Sequence, residues 1–165
     1  MPAVGPLRLY RTTVSPDWID YNGHMNVAYY VLVFDQATDV FLERIGLGPE
    51  ERKTLQGSIF SVEGHITYQR EVNLGDPLVC DVQLLGFDEK RIRFITIMRH
   101  ETEGFVAATM EWVHLYMDMK LRKVAPMPKQ VREDLQSIMN DHALLEMPTE
   151  AGRAIAKPPL PGTQP

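Results

Sequence analysis

The sequence of 165 residues contains a single cysteine, Cys80, so the chain cannot form an internal disulfide. It has no run of about 18 apolar residues, the length that a membrane-spanning helix needs. Residues 1–6 lack the basic-then-apolar order of a secretory signal. From these absences we expect a cytoplasmic protein without a membrane segment.

Positive charge is also scarce. The chain has 17 Lys and Arg residues against 22 Asp and Glu, its net charge is −5, and it contains no Lys/Arg-rich run. Because nucleic-acid binding depends on clustered positive charge that meets phosphates, we expect no nucleic-acid partner. The content of hydrophobic residues, 44%, is that of one ordinary globular domain.

The clearest pattern is helical. From Val27 to Ile45 apolar residues recur every three or four positions, which predicts an amphipathic helix. Asn26 is placed to cap its first turn. The segment 46–49, Gly-Leu-Gly-Pro, carries the Gly and Pro signals that end a helix.

Strand patterns fill most of the remaining chain, after a polar connection at 49–57. We predict strands at 7–14, 58–72, 78–87, 91–100 and 105–117, and a short helix through 131–139. Because the later strands are joined mainly by short turns, they should pair antiparallel. The expected fold class is therefore α+β, with the long helix packed on one face of the sheet.

The end of the chain differs in composition. From Pro148 onward it holds five of the 12 prolines and few large apolar residues. This composition predicts an irregular or mobile tail over 148–165, after a single domain of residues 1–147.

The ten residues before the long helix, 17–26, contain two carboxylates, one imidazole and two amides. The first N–H groups of a helix have no intrahelical partner and lie at the positive end of its dipole, so they can stabilise an oxyanion. A carboxylate just upstream, Asp20, could act as a base or a nucleophile. This combination suits acyl transfer from a thioester, although Asp, Asn and Gly are more often plain capping and turn residues.

The motif Asp20-x-x-Gly23-His24-Met25-Asn26, followed at once by a helix with Tyr30, resembles the signature of the 4-hydroxybenzoyl-CoA thioesterase-like hot-dog family. The stretch 66–78 is similar to the family's second strand and its turn, and 113–128 to its last strand and ending. The resemblance covers about residues 7–140.

The resemblance implies an acyl-CoA thioesterase with a long helix wrapped by an antiparallel sheet and no cofactor. It implies a homodimer or a dimer of dimers, with active sites at the interface. The implied catalytic groups are the Asp20 carboxylate and the backbone N–H of Val27, with His24 and Asn26 shaping the pocket or positioning water. The implied substrate-binding positions are Trp18, Gly23, Met25, Tyr30, Glu63, His65 and Tyr68. Many members carry a second acid where this chain has Trp18, so Asp17, which is offset by one, receives no catalytic role.

Some of these positions can be examined by strand parity. Glu63 and His65 share one face of the second strand, and Tyr68 falls on the other unless a bulge intervenes. The histidines have no helical two-His spacing with a carboxylate, so no metal site is expected. Cys80 lies on an apolar strand face and should be a buried, inert thiol.

The acyl group stays open at this point. The segment 18–26, with Glu63, His65 and Tyr68, is most similar to the subgroup associated with carnitine breakdown, whose members hydrolyse betainyl-CoA. Its trimethylammonium could be met by the aromatic residues near the motif, with Glu63 as counter-charge. A generic short or medium acyl-CoA is the other possibility.

Two alternative functions also stay open. One is an enoyl-CoA hydratase of the same fold, which uses an Asp and a His five residues apart where Asp20 and His24 are four apart. The other is a non-catalytic acyl-CoA-binding protein. Release of thiol from a CoA ester separates the hydrolase from both.

Overall fold

The computed structural model describes residues 5–157. The elements in chain order are β1 (Leu7–Thr13), a 3₁₀ turn (Pro16–Trp18), α1 (Val27–Arg44), α2 (Pro49–Leu55), β2 (Gly57–Tyr68), β3 (Pro77–Phe87), β4 (Arg91–His100), β5 (Val106–Asp118), β6 (Lys123–Val124) and α3 (Lys129–His142). No helix among these residues is long and apolar enough to cross a membrane.

The strands form one antiparallel sheet in the order β1-β3-β4-β5-β2, with β6 added beside β5. One face of the sheet packs against α1, and the side chains between them form the core. The predicted α+β class, with a long helix on one face of an antiparallel sheet, is confirmed. β2 lies at one edge of the sheet, a position that matters for the site.

α1 forms where the sequence pattern predicts it. Its N-cap is Asn26, whose Oδ1 accepts the N–H of Ala28 at 2.9 Å. At the other end the N–H of Leu47 donates to the carbonyl of Leu42 at 2.8 Å, which closes the last turn. The face toward the sheet is buried, through Tyr30, Val33, Phe34, Ala37, Thr38, Phe41 and Leu42.

The structure differs from the predictions at three places. The expected connection at 49–57 contains α2, which buries none of its residues and therefore has no apolar period to detect. β2 ends at Tyr68 rather than at residue 72, because the N–H groups of Gln69 and Arg70 both turn to one acceptor, the carbonyl of Ala107. The two-residue strand β6 had not been predicted.

The described part of the C-terminal segment, 148–157, has no helix or strand, but it is joined to the sheet. Gln69 Nε2 donates to Glu150 Oε1 at 2.8 Å, and the N–H of Gly152 donates to Glu111 Oε2 at 2.7 Å. Glu111 also pairs with Arg93 at 2.7 Å. The segment therefore crosses the sheet on the side opposite α1. The rest of the predicted tail, 158–165, lies outside the described residues.

One close approach gives a stability prediction. Gly57 begins β2 directly beside Tyr116, and a methyl group at Gly57 would collide with the tyrosine ring and its hydroxyl. Tyr116 is buried, so it cannot move away freely. We expect Gly57→Ala to lower the free energy of unfolding by about 1–3 kcal/mol, measured by urea denaturation.

Gly86→Ala is the matched control, because a methyl group there meets nothing within 4 Å. Its unfolding free energy should stay within about 0.5 kcal/mol of the wild type. Adding Tyr116→Phe to Gly57→Ala should recover part of the loss. Equal stability of the two alanine variants would contradict the packing argument.

Candidate active site

The segment before α1 is fixed to two other parts of the chain. The N–H of Met25 donates to the carbonyl of Val72 at 2.9 Å, and the N–H of Asn26 donates to that of Trp18 at 2.9 Å. The Met25 side chain is fully buried in the core. These bonds hold the start of α1 against the chain that follows β2.

Within this segment the chain makes a tight turn from Asp20 to His24. The N–H of Asp20 donates to the carbonyl of His24 at 3.1 Å, and the N–H of Gly23 donates to that of Asp20 at 3.0 Å. Gly23 has a φ of +83°, a conformation that side chains disfavour. This explains a glycine at this position of the motif: it closes the turn.

The Asp20 carboxylate is half-buried and held at both oxygens. Oδ1 accepts the N–H of Asn22 at 2.8 Å, and Oδ2 lies 3.4 Å from Asn26 Nδ2. The same Asn26 side chain caps α1 through its other amide atom. One side chain therefore connects the carboxylate to the first turn of the helix.

Val27 is the first residue of α1 and is 57% exposed. Within residues 5–157 its N–H has no hydrogen-bond acceptor, whereas the next two N–H groups, of Ala28 and Tyr29, are both taken up by Asn26. A backbone donor at the positive end of an 18-residue helix is thus open to a ligand oxygen.

Two aromatic pairs flank the helix start. Tyr30 and Tyr68 meet edge to face with ring centroids 5.2 Å apart, and the Tyr68 hydroxyl donates to the carbonyl of Val27 at 3.4 Å. Trp18 and Tyr29 stack at 5.6 Å. Of these four rings Tyr68 is the exposed one, at 48%, so it offers the most surface to a ligand beside Val27.

His24 is half-buried beside the turn. Its Nδ1 lies 3.3 Å from the carbonyl oxygen of Met25, and its Nε2 lies 3.9 Å from a carboxylate oxygen of Glu71. Among the described residues neither nitrogen pairs with Asp20. No sequence signal pointed to Glu71 as a neighbour of His24.

Glu63 and His65 face away from this group. Glu63 pairs with Val113 and His65 with Glu111, whereas Tyr68 pairs with Ala108, which is buried against α1. The bulge in β2 lies before Glu63, between Ser61 and Glu63, so the predicted parity is confirmed. In this chain the two side chains lie on the other side of the sheet, and a role for them in the site stays a prediction.

Other candidates receive structural explanations. Trp112 packs against the buried core between α1 and the sheet, while Tyr21 is almost fully exposed. Cys80 is buried, and burial raises the pKa of its thiol to about 12, which confirms the expected inert thiol. Within the described range no group of three or more His, Cys, Asp or Glu side chains is placed to hold a metal ion.

Comparison with known proteins identifies the class. The sequence profile of the Thioesterase-like superfamily matches residues 14–135, and the chain belongs to this family. The match includes the Asp20–Val27 segment and all the strands from β2 to β5.

The chain is also similar to individual proteins over most of its length. The chain is 34% identical to a betainyl-CoA thioesterase of Pseudomonas aeruginosa, over 93% of this chain and 97% of that protein. It is 39% identical over 95% of its length to an L-carnitine dehydrogenase/betainyl-CoA thioesterase of Rhizobium meliloti. It spans only 32% of that longer protein.

Solved structures agree with the fold. A Staphylococcus aureus protein solved in complex with CoA superposes with a TM-score of 0.87 at 25% identity, over 96% of this chain and 100% of that one. A Pseudomonas putida protein assigned as a thioesterase superposes with a TM-score of 0.81 at 34% identity, over 94% and 99%. The hot-dog fold and family expected from the sequence are therefore confirmed.

Proposed function

We propose that this chain is an acyl-CoA thioesterase and that betainyl-CoA is its substrate. The observation that carries the proposal is the connection of the Asp20 carboxylate, through Asn26, to an open N–H at the start of α1. The names of the Pseudomonas and Rhizobium relatives support the acyl group. A cytoplasmic location is part of the same proposal.

The reaction follows from the two groups. The thioester carbonyl oxygen accepts the N–H of Val27, which stabilises the oxyanion that forms on attack. Asp20 either deprotonates the attacking water or attacks the carbonyl carbon itself. In both cases the C–S bond breaks and CoA leaves as a thiolate that takes up a proton. Attack by water releases the carboxylic acid directly, whereas attack by Asp20 leaves a mixed anhydride, which a water molecule hydrolyses to the acid and the free Asp20 carboxylate. Asn26 holds Asp20, and His24 lies at the rim where it can position water.

The geometry favours hydrolysis over hydration. A hydratase needs its Asp and His to converge on one water and one substrate carbon. Here the His24 nitrogens face Met25 and Glu71 rather than Asp20. Hydration of a crotonyl thioester without release of thiol would favour the hydratase instead.

The acyl specificity depends on a cation. A trimethylammonium group has no N–H and cannot donate a hydrogen bond. It is therefore recognised by aromatic faces and by the negative charge of carboxylates. Tyr68 presents exposed aromatic surface beside Val27, supported by Tyr30. Trp18 has one face covered by Tyr29 and is the secondary candidate.

We also propose a homodimer, or a dimer of dimers, in which a second copy covers β2. This strand is a 12-residue edge with unpaired backbone groups. Exposed apolar side chains occur on this strand and on α1: Phe60, Val62, Tyr68, Val27, Val31 and Leu32. Two of them, Val27 and Tyr68, belong to the site, which suits an active site at a dimer interface.

Asp20→Asn tests the chemistry. The substitution is nearly isosteric and keeps an oxygen for the N–H of Asn22, so the fold should survive. It removes the base or nucleophile, and kcat for thiol release should fall by at least about 10²-fold. Asp17→Asn, an exposed carboxylate in the same segment, is the control and should retain wild-type turnover. Near-wild-type turnover of Asp20→Asn would remove Asp20 from the mechanism.

The substrate is tested with a matched pair of esters. Betainyl-CoA and 3,3-dimethylbutanoyl-CoA have the same shape, but only the first carries the positive charge. The cation should raise kcat/KM by about tenfold or more, since about 1.4 kcal/mol corresponds to one decade. Equal rates, or a preference for the neutral ester, would exclude betainyl-CoA as the preferred substrate and leave thioester hydrolysis standing.

The assembly is tested by light scattering at micromolar concentration. We expect at least twice the 18.8 kDa of one chain. Val62→Lys places a charge on the edge strand and should shift the particle toward the monomer. Leu144→Lys, at a more exposed apolar position after α3, should not. A wild-type particle of 18.8 kDa would contradict the proposal.

A further inference from the structure

A substrate with a fixed positive charge requires a negatively charged residue beside it. Glu63, the counter-charge expected from the sequence, does not lie on the sheet face that carries the site. Glu63 lies on the sheet face opposite α1, whereas Tyr68 and Val27 are on the α1 side. The counter-charge within one chain must therefore come from a different residue. The carboxylate of Glu71 lies near Tyr30, next to Tyr68.

Glu71 is held at this place by the backbone next to it. The carbonyl of Val72 accepts the N–H of Met25 at 2.9 Å, so the chain after β2 runs alongside the start of the motif. The Glu71 carboxylate lies 3.9 Å from His24 Nε2. Glu71 thus sits at the edge of the site, on the side where the Tyr30 ring lies.

The pKa of the Tyr30 phenol also indicates that Glu71 lies close to this ring. Burial raises the pKa of the Tyr30 phenol, and a backbone hydrogen bond from Val72 opposes this rise. The negative charge of Glu71 raises the phenol pKa further, with smaller effects of Tyr68 and Asp20. The charges of two carboxylates, Glu71 and Asp20, therefore act on the same buried hydroxyl.

The charge of Glu71 is also available. The adjacent cation, Arg70, is engaged elsewhere: its guanidinium lies 3.6 Å from Glu103 and 3.8 Å from the centre of the Phe105 ring. The Glu71 side chain is 65% exposed, and within residues 5–157 its one ionic neighbour is His24. A cation in the pocket would thus meet a carboxylate that is not already neutralised by an arginine or lysine.

We infer that Glu71 is a specificity-determining residue, the carboxylate that attracts the quaternary ammonium of the acyl group while the exposed ring of Tyr68 contacts its methyl groups. The inference rests on the proposed function. In betainyl-CoA the nitrogen is two bonds from the carbonyl carbon. A carbonyl bound at Val27 therefore brings the cation into the region next to Tyr68.

The test is Glu71→Gln, which removes the charge and keeps the size, assayed with betainyl-CoA and 3,3-dimethylbutanoyl-CoA. We expect kcat/KM to fall by about tenfold for the cationic ester and to stay within about twofold for the neutral one. The loss should shrink at high salt, because screening weakens an exposed charge pair. The neutral ester reports any effect on folding, on CoA binding or on the position of His24.

Glu103→Gln is the matched control. It removes an equally exposed carboxylate from the same end of the sheet, one that is paired with Arg70. It should leave the preference between the two esters unchanged. Glu63→Gln is measured beside it, because a selective loss there would assign the counter-charge to Glu63 and overturn the inference.

The remaining outcomes are distinct. If the wild type prefers betainyl-CoA and Glu71→Gln keeps that preference, Glu71 is excluded and the proposed function stands. If Glu71→Gln lowers kcat/KM equally for both esters, the residue has a structural role and the inference is overturned. If the wild type does not prefer the cationic ester, the proposed substrate fails, and the inference fails with it.

Discussion

The site depends on the four hydrogen bonds of Asn26. Its N–H donates to the Trp18 carbonyl, its carbonyl accepts from Tyr29, its Oδ1 caps Ala28 and its Nδ2 lies within hydrogen-bond distance of Asp20. An aspartate would cap the helix equally well, but it has no donor for the Asp20 carboxylate, whereas the asparagine amide offers an acceptor to the helix and a donor to the carboxylate on separate atoms. Together with the turn that holds Asp20, this residue connects the carboxylate to the helix start and the open N–H of Val27.

The rest of the fold keeps that arrangement rigid. α1 buries seven residues against the sheet, so its first turn cannot shift without disturbing the core. Met25 adds a fully buried side chain directly before the cap, and its N–H fixes the segment to Val72. The groups proposed to react are therefore carried by a turn and a helix end that are anchored on two sides, although Asp20 itself is only half-buried.

The sequence predicted those elements that have a clear apolar period or a recognisable helix cap. α1 was expected over 27–45 and spans Val27–Arg44, and Asn26 caps it as predicted. α2 escaped because a helix without a buried face has no apolar period. The alternation of side chains along β2 correctly put Glu63 and His65 on the face opposite Tyr68. It cannot tell which of the two sheet faces the helix covers. The position of Glu71 was beyond prediction, because it depends on how the chain after β2 folds back onto Met25 and His24.

A quaternary ammonium changes the electrostatics of this site in a way that a neutral acyl group cannot. A neutral group would only remove water from around the Asp20 carboxylate, which makes its negative charge less favourable. A cation beside Asp20 and Glu71 would offset this loss of hydration by direct attraction. The same charge draws electrons from the carbonyl two bonds away, so the oxyanion needs less help from protein donors. For this reason the proposed site, with the open N–H of Val27 and the carboxylates of Asp20 and Glu71, would favour a betainyl ester over an alkyl ester of equal size.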